Sequence, residues 1–456
     1  MDDCKIPNKN RTLTIGLRQL GALLMLSLLI VGSSSWKDGQ AQSISIQWFQ
    51  FDPMAIRADR TDPVQFSLKI EGSPSSVQLQ LAAGGRVNLT VGSGGVWSVT
   101  LTAAQALFDY QPDDANHNFV GFLDIFQGST RALRLNTFID VLDKSVSTIE
   151  LVNRGNQIRS GKHVVNFWRP DFSPDQLPSI TKFFYAFFGD DYDFINLVFA
   201  LPSFQANRYH FPVKNEVRGI GLRIFNDTVS YGSAGKLQGI TVFPIDSFFD
   251  LAETSAIHEI GHQWINYLEL PLLKTGSPHW PISSLAHGIM GFNISGSGVG
   301  GDFPFELVLL PNGQYQFQSA ALPREFTDLD LYLMGLLPAS QVGTHLVVKN
   351  QNQQICHDCF VQGAVEKVSI NDVITVQGAR FPDASSAQKQ FHVATIVITR
   401  NRLLNDEEMG LFDYFAARGE ATEPLLFSSG LAKGKTKPFL LATRGLGMLI
   451  TPISPK

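Results

Sequence analysis

Two histidines and a glutamate stand close together in the stretch AIHEIGHQW, residues 256–264. On an α-helix, His258 and His262 lie on the same face one turn apart. Both imidazoles can therefore bind one metal ion, each at about 2 Å. Glu259 is rotated by about 100° from His258, and its carboxylate can reach a water on the ion without binding the metal. The spacing predicts a zinc site with Glu259 as the general base of a hydrolase, against the alternative of a solvent-facing helix that carries two histidines.

A catalytic zinc ion usually has three protein ligands and a water, so a third ligand must come from elsewhere in the chain. Glu269 comes almost two turns after His262, which is too far along a straight helix. The remaining candidates are two histidines and two aspartates further along the chain: His279, His287, Asp328 and Asp330.

The order of three short motifs resembles the leishmanolysin-type metzincins. HEIGH at 258–262 is followed by HW at 279–280 and by GIMG at 288–291. In that family an insertion separates the two-histidine helix from a third histidine, which is followed by tryptophan and soon after by a methionine turn. The ordinary metzincin pattern has a glycine and a third histidine directly after the helix, where this chain has Ile265 and Leu268. By this resemblance, the third ligand comes after a loop.

The resemblance implies a role for each matching residue. His258, His262 and His279 would bind zinc, Glu259 would be the base, and Met290 would lie beneath the metal as the turn residue. It also implies a two-part catalytic domain with a cleft between the halves, and cleavage of protein or peptide substrates.

Asp330 is the main alternative third ligand, and His287 is a further one. FTDLDLYLMGLLP at 326–338 predicts a helix closed by Gly335. In the aspzincins an aspartate on a helix after the motif binds zinc, and Asp330, with Tyr332 and Gly335 nearby, loosely resembles that arrangement. Asp330 could otherwise be an acid on the helix face or a group that orients a ligand histidine.

The N-terminal residues have the order of a secretory signal peptide. Arg11 and Arg18 precede an apolar run at 20–32, and a small-polar stretch follows. This order predicts a signal peptide over 1–42 with cleavage after Ala41; an uncleaved membrane anchor is the alternative. We expect an extracellular or cell-surface protein.

Residues 43–143 have the alternation of half-buried strands. VQFSLKI at 64–70 and VQLQL at 77–81 place apolar side chains at every second position. Short alternating strands separated by Gly- and Ser-rich turns predict an antiparallel immunoglobulin-like β-sandwich. A polar stretch at 144–162 is predicted to be a linker.

Residues 163–456 predict a mixed α/β domain, with an N-terminal part to about 268 and a C-terminal part after it. Helices are predicted at 173–189, 250–268, 326–338 and 406–419, and strands at 194–201, 219–225, 237–245 and 392–400. The stretch 272–320 is rich in Gly, Pro, Ser and Asn and predicts an irregular segment. The fold class is therefore α+β, with a sandwich followed by a metzincin-like zinc-peptidase domain.

Composition narrows the possible functions and partners. The chain has 456 residues, 44% of them hydrophobic and 17% charged, which is typical of a globular protein. A net charge of −5 provides no basic surface for nucleic acid. No segment beyond residue 45 is long and apolar enough to span a bilayer, so we expect no stable membrane insertion after signal removal. Cys356 and Cys359 predict a short-loop disulfide in an oxidising compartment.

Together these features predict a secreted zinc endopeptidase with Zn²⁺ as its cofactor and a protein or peptide as its substrate. The alternative is a surface adhesion or matrix-binding protein whose zinc site is structural or vestigial. The intact Glu259 argues against that alternative, because a structural site needs no general base.

Overall fold

The computed structural model of the protein describes most of the chain beyond the predicted signal peptide. The described residues are 43–112, 115–173, 176–201, 208–245, 252–274, 279–291, 305–319, 325–423, 425–427 and 434–456. The predicted signal peptide, 1–42, lies outside them. The fold is α+β, as predicted, and is rich in strands, with several antiparallel sheets.

The N-terminal part consists of two sheets. Its elements are β1 (Ser45–Asp52), β2 (Ala55–Arg57), β3 (Val64–Glu71), β4 (Ser76–Leu81), β5 (Arg86–Asn88), β6 (Thr90–Val91), β7 (Val96–Leu101), α1 (Ala103–Ala106), β8 (Ala115–Gln127) and β9 (Thr130–Leu142). One sheet has the order β1-β3-β7-β6 and the other β2-β9-β8-β4-β5. All pairs are antiparallel apart from β2 with β9, which is parallel.

Side-chain alternation explains why these two sheets face each other. In β3, Phe66 and Leu68 are fully buried, whereas Gln65 between Val64 and Phe66 is exposed. Leu79 from the second sheet belongs to the same hydrophobic core. The strands predicted at 64–70 and 77–81 are confirmed.

The rest of the chain is built on one large mixed sheet. Its strands are β10 (Val152–Asn153), β11 (Ile158–Ser160), β12 (Val164–Trp168), β13 (Phe194–Phe199), β14 (Tyr209–Pro212), β17 (Gly239–Pro244), β22 (Gln390–Thr399) and β25 (Met448–Ile450). The order is β10-β11-β12-β22-β13-β17-β14, and β25 pairs with the start of β22. The four central strands are parallel to one another, and β14 pairs antiparallel with β17.

Shorter elements complete this part of the chain. They are α2 (Leu177–Phe187), β15 (Lys214–Asn215), β16 (Phe225–Asn226), α3 (Ala252–Gly261), β18 (Phe305–Leu309), β19 (Tyr315–Ser319), α4 (Asp328–Met334), β20 (His345–Val348), β21 (Val365–Val368), α5 (Ile370–Gln377), α6 (Asp406–Ala417), β23 (Leu425–Phe427), β24 (Gly434–Thr436) and α7 (Phe439–Ala442).

Helices cover both faces of the large sheet. Successive side chains of β13 point to opposite faces. Ile195 and Leu197 pack with the apolar side of α2. Phe194 packs with residues of α3, and Val198 packs with residues of α6. The strand is therefore buried on both sides, which explains its continuous apolar sequence.

Helix α3 ends at Gly261, before the end of the predicted span of 250–268, whose first two residues lie outside the described part. After Gly261 the backbone makes tighter turns, with the His262 N–H donating to the Glu259 carbonyl at 3.1 Å. The Tyr267 hydroxyl donates to the His262 carbonyl at 2.5 Å, and Asn266 has a positive φ of 77°. These local contacts end the helix at Gly261, one residue before His262.

Three further predictions differ from the structure. The stretch 219–225 is not a strand except for its last residue, because Gly219 and Gly221 have positive φ values of 78° and 86°. The stretch 272–320, predicted to be irregular, contains the β18–β19 hairpin. The predicted linker 144–162 contains β10 and β11, which join the large sheet. The last two cases involve short strands that carry little periodic signal.

The second half of the chain contains a small hydrophobic core that is separate from the cores beside the two larger sheets. Ile282, Phe305, Phe317 and Val348 pack together in it. The predicted Cys356–Cys359 disulfide is present and closes a short loop whose backbone pairs with β19. This core supports the segment that follows His279.

Candidate metal centre

The first ligand candidate is held in one orientation by a backbone contact. His258 is 4% exposed on α3, and its Nδ1 donates to the Ile289 carbonyl oxygen at 2.8 Å. That hydrogen bond selects the tautomer in which Nε2 has no proton and can bind a metal. The carbonyl belongs to the turn that contains Met290, so this turn orients the ligand.

Three imidazoles converge on one point. The Nε2 atom of His258 lies 3.1 Å from Nε2 of His279 and 3.2 Å from Nε2 of His262. All three ligand nitrogens lie within 4.8 Å of one another. Two nitrogens bound to tetrahedral zinc are about 3.3 Å apart, since each Zn–N bond is about 2.0–2.1 Å. The donor set therefore fits a metal ion such as zinc.

The electrostatics of the site favour neutral imidazoles. Burial lowers the pKa of His279 to about 4 and also lowers the pKa of His262. A neutral imidazole presents the lone pair that a metal needs. Near neutral pH both side chains are thus in the form that binds metal.

The methionine turn packs directly under α3. Met290 is fully buried, and a Cβ atom built on Gly261 would lie 2.7 Å from the Met290 sulfur. The Trp280 N–H donates to the Met290 carbonyl at 3.3 Å. Gly261 therefore allows the turn that contains Met290 to approach the helix that carries His258. The same turn also contacts Trp280, the residue after His279.

Asp330 does not belong to the histidine cluster. Its Oδ1 accepts from the Trp280 indole Nε1 at 2.7 Å, and its Oδ2 accepts from the Thr327 N–H at 2.8 Å. With Thr327 it forms the capping box of α4. Complete burial raises the pKa of Asp330 to about 6. The carboxylate thus holds the tryptophan next to His279 instead of approaching the metal position.

The other candidate ligands also lie outside the cluster. Asp328 pairs with His345, whose Nε2 lies 2.8 Å from Asp328 Oδ1. Glu269 is exposed and pairs with Lys274. Among the described residues, the group of metal-binding side chains close enough to share one ion contains neither these acids nor His287.

Glu259 is buried beside a cation that the sequence analysis missed. The Arg208 Nε donates to Glu259 Oε1 at 3.1 Å. Burial raises the pKa of Glu259 to about 7, while the charge of Arg208 opposes that rise. Arg208 directly precedes β14, and only the sheet topology brings it to α3. No spacing in the sequence indicates this contact.

A buried histidine joins β14 to the turn after α3. The Nε2 atom of His210 lies 3.0 Å from Gln263 Oε1, and its Nδ1 lies 3.1 Å from the Thr241 hydroxyl. The Gln263 amide donates to the Lys214 carbonyl at 2.7 Å. Burial lowers the pKa of His210 to about 4. The edge strand and the residue after His262 are therefore fixed relative to each other by neutral hydrogen bonds.

The chain matches no protein-family model, no curated protein and no solved structure. In the described part of the chain, no helix has the length and apolar character needed to cross a membrane.

Proposed function

We propose that the protein is a secreted zinc-dependent endopeptidase. The observation that carries this proposal is the convergence of three imidazole Nε2 atoms, those of His258, His262 and His279, with the buried Glu259 next to the first of them. Three histidines leave room for a water on a four-coordinate zinc ion, which is the arrangement of catalytic zinc sites. Among the described residues, no fourth His, Cys, Asp or Glu joins the group, and this favours a catalytic over a closed structural site.

Glu259 is suited to proton transfer. Zinc held by the three histidines would lower the pKa of a water toward neutrality and polarise the scissile carbonyl. Glu259, which is buried next to His258, accepts a proton from the attacking water and later donates it to the leaving amine.

The large sheet offers a place for an extended substrate. Among the residues that the structure describes, β14 is the last strand on its side of the sheet, and its other edge pairs with β17. An extended peptide can add to such an edge through backbone hydrogen bonds, which favours a protein or peptide substrate over a small molecule. Helix α3 packs against both strands, so such a peptide would run past the histidines.

The finer assignments of fold and location belong to the same proposal. The two facing sheets support an immunoglobulin-like module, and the mixed sheet with α3 and the turn at Met290 supports a metzincin-like domain. The Cys356–Cys359 disulfide supports a location outside the cytoplasm, because disulfides persist in oxidising compartments.

The deciding experiment measures zinc content and hydrolysis together. We expect one zinc per chain in the purified protein, cleavage of casein, and loss of that cleavage with 1,10-phenanthroline. Glu259→Gln should retain zinc and lose nearly all turnover. Zinc-loaded wild-type protein that cleaves neither casein nor a broad peptide library would overturn the proposal and favour adhesion through the sandwich module.

A further inference from the structure

The guanidinium group of Arg208 lies at the proposed reaction centre, and the proposed mechanism gives it no role. Arg208 contacts Glu259 through Nε at 3.1 Å, and its side chain is 23% exposed, whereas that of Glu259 is 6% exposed. The arginine is therefore the more solvent-accessible member of the pair. It also immediately precedes β14, the edge along which an extended substrate would add.

Arg208 places a positive charge beside the histidine cluster, because it contacts Glu259, the residue that directly follows His258. The three imidazoles are neutral when they bind a metal. Arg208 and Glu259 lie beside them, contact each other and carry charge. A cation placed there interacts with any negative charge that develops during the reaction.

The chemistry of the guanidinium group suits a second contact. It has several N–H donors in a planar fork, and its contact with Glu259 is made through Nε. A cation of this kind stabilises negative charge that develops beside it. Peptide hydrolysis produces such a charge on the carbonyl oxygen of the tetrahedral intermediate.

We infer that the Arg208 guanidinium stabilises the oxyanion of the tetrahedral intermediate, an inference that rests on the proposed peptidase function. As the water oxygen bonds to the carbonyl carbon, Glu259 takes a water proton and the carbon–oxygen π pair moves to the carbonyl oxygen. When the pair returns, the C–N bond breaks and the proton passes from Glu259 to the amine nitrogen. Arg208 stays protonated throughout and only donates hydrogen bonds.

The test uses the zinc-loaded protein and two kinds of ligand. One is a phosphinic dipeptide, Phe-Ala with a PO₂⁻–CH₂ group in place of the peptide bond, which carries a tetrahedral anion. The other is the ordinary dipeptide Phe-Ala. Arg208→Gln should lower kcat on a casein-derived peptide by about 100-fold with little change in KM or zinc content. It should weaken the phosphinic ligand by a similar factor and leave the Kd of Phe-Ala unchanged. Arg208→Lys should recover part of both effects.

Two comparisons separate the possible outcomes. In a Glu259→Gln background, Arg208→Gln should still weaken the phosphinic ligand at least tenfold; unchanged binding there would mean that Arg208 acts only through Glu259 and would overturn the inference. Arg223→Gln, an equal charge change at an exposed site, should match wild type in every assay. A wild-type protein that cleaves no peptide contradicts the proposed function, whereas normal cleavage and phosphinic binding by Arg208→Gln contradict this inference alone.

Discussion

The indole Nε1 of Trp280 donates to the Asp330 carboxylate at 2.7 Å, and both side chains are buried. This contact joins Trp280, the residue after His279, to the N-terminal cap of α4. It gives Asp330 a position next to the ligand set without making it a ligand. The candidates His279 and Asp330, which the sequence left as alternatives, therefore have different places in the structure and different expected effects on zinc.

Replacing His279 should remove zinc. The His279→Ala variant loses one of three converging nitrogens, and the remaining two histidines are fewer than the three protein ligands that a catalytic zinc ion usually has. We expect about one zinc per chain in wild type and almost none in the variant after dialysis, measured by atomic emission. His287→Ala is the matched control and should keep its zinc. The opposite result for the two variants would move the third ligand to His287.

Replacing Asp330 should weaken zinc binding without abolishing it. Asp330→Ala releases the Trp280 indole and removes the capping box of α4, so His279 is held less firmly. Loss of such a supporting contact typically costs about 10-fold or more in metal affinity, and loss of the cap costs about 1 kcal/mol in the free energy of unfolding.

Chelator competition and urea unfolding measure these two effects of Asp330→Ala. Trp280→Phe, which removes the same hydrogen bond from the other side, should reproduce the effect on zinc. Complete loss of zinc from Asp330→Ala with unchanged stability would instead indicate a metal ligand.

Gly261→Ala should destabilise the protein, although alanine usually favours helices. The added Cβ would lie 2.7 Å from the Met290 sulfur, and such overpacking costs about 1–3 kcal/mol. Met290→Ala in the same chain should remove much of this penalty, which a double-mutant cycle of urea unfolding measures. Gly410→Ala on α6 has only ordinary contact with Leu142 at 3.4 Å and should be neutral or stabilising. Additive effects of the two changes at 261 and 290 would contradict the close packing.

Asp330 should also make stability depend on pH between about 4 and 6. Its pKa is about 6 in the folded protein, against an ordinary value of 3.8, so the folded state binds more protons in this range than the unfolded state. The free energy of unfolding should therefore decrease as pH rises through this range. Above about pH 6, Asp330 should cause no further change in the free energy of unfolding.

Urea unfolding at several pH values, with EDTA present, measures this dependence. Asp330→Asn cannot titrate and should show a shallower decrease than wild type. Asp406→Asn, at an exposed position on α6, serves as the control and should follow wild type. Equal slopes for wild type and Asp330→Asn would show that Asp330 is ionised in the folded protein throughout the range.

Local patterns predicted much of the fold. The alternation at 64–70 and the apolar run at 194–201 each correspond to a strand, because burial of one face or of both faces leaves a direct mark on the sequence. The stretch 219–225 has a similar composition but is not a strand, since Gly219 and Gly221 adopt positive φ. Apolar composition alone does not distinguish a strand from a packed loop.

The candidate site was predictable only where its residues are close in sequence or match a known pattern. His258, Glu259 and His262 follow from helical spacing, and His279 was selected through the resemblance to metzincins. Arg208 gave no such signal, because it reaches Glu259 only through the pairing of β14 with β17. Zinc itself remains a prediction.

The position of β22 has a consequence for the timing of folding. Gln390–Thr399 lies between β12 and β13, so a ribosome must add nearly all of the 456 residues before the layer supporting α3 is continuous. A nascent chain that ends before this strand contains the histidines but lacks the strand that joins β12 to β13. The sheet behind α3 can thus be completed only late in synthesis, after all three histidines of the candidate site have been added.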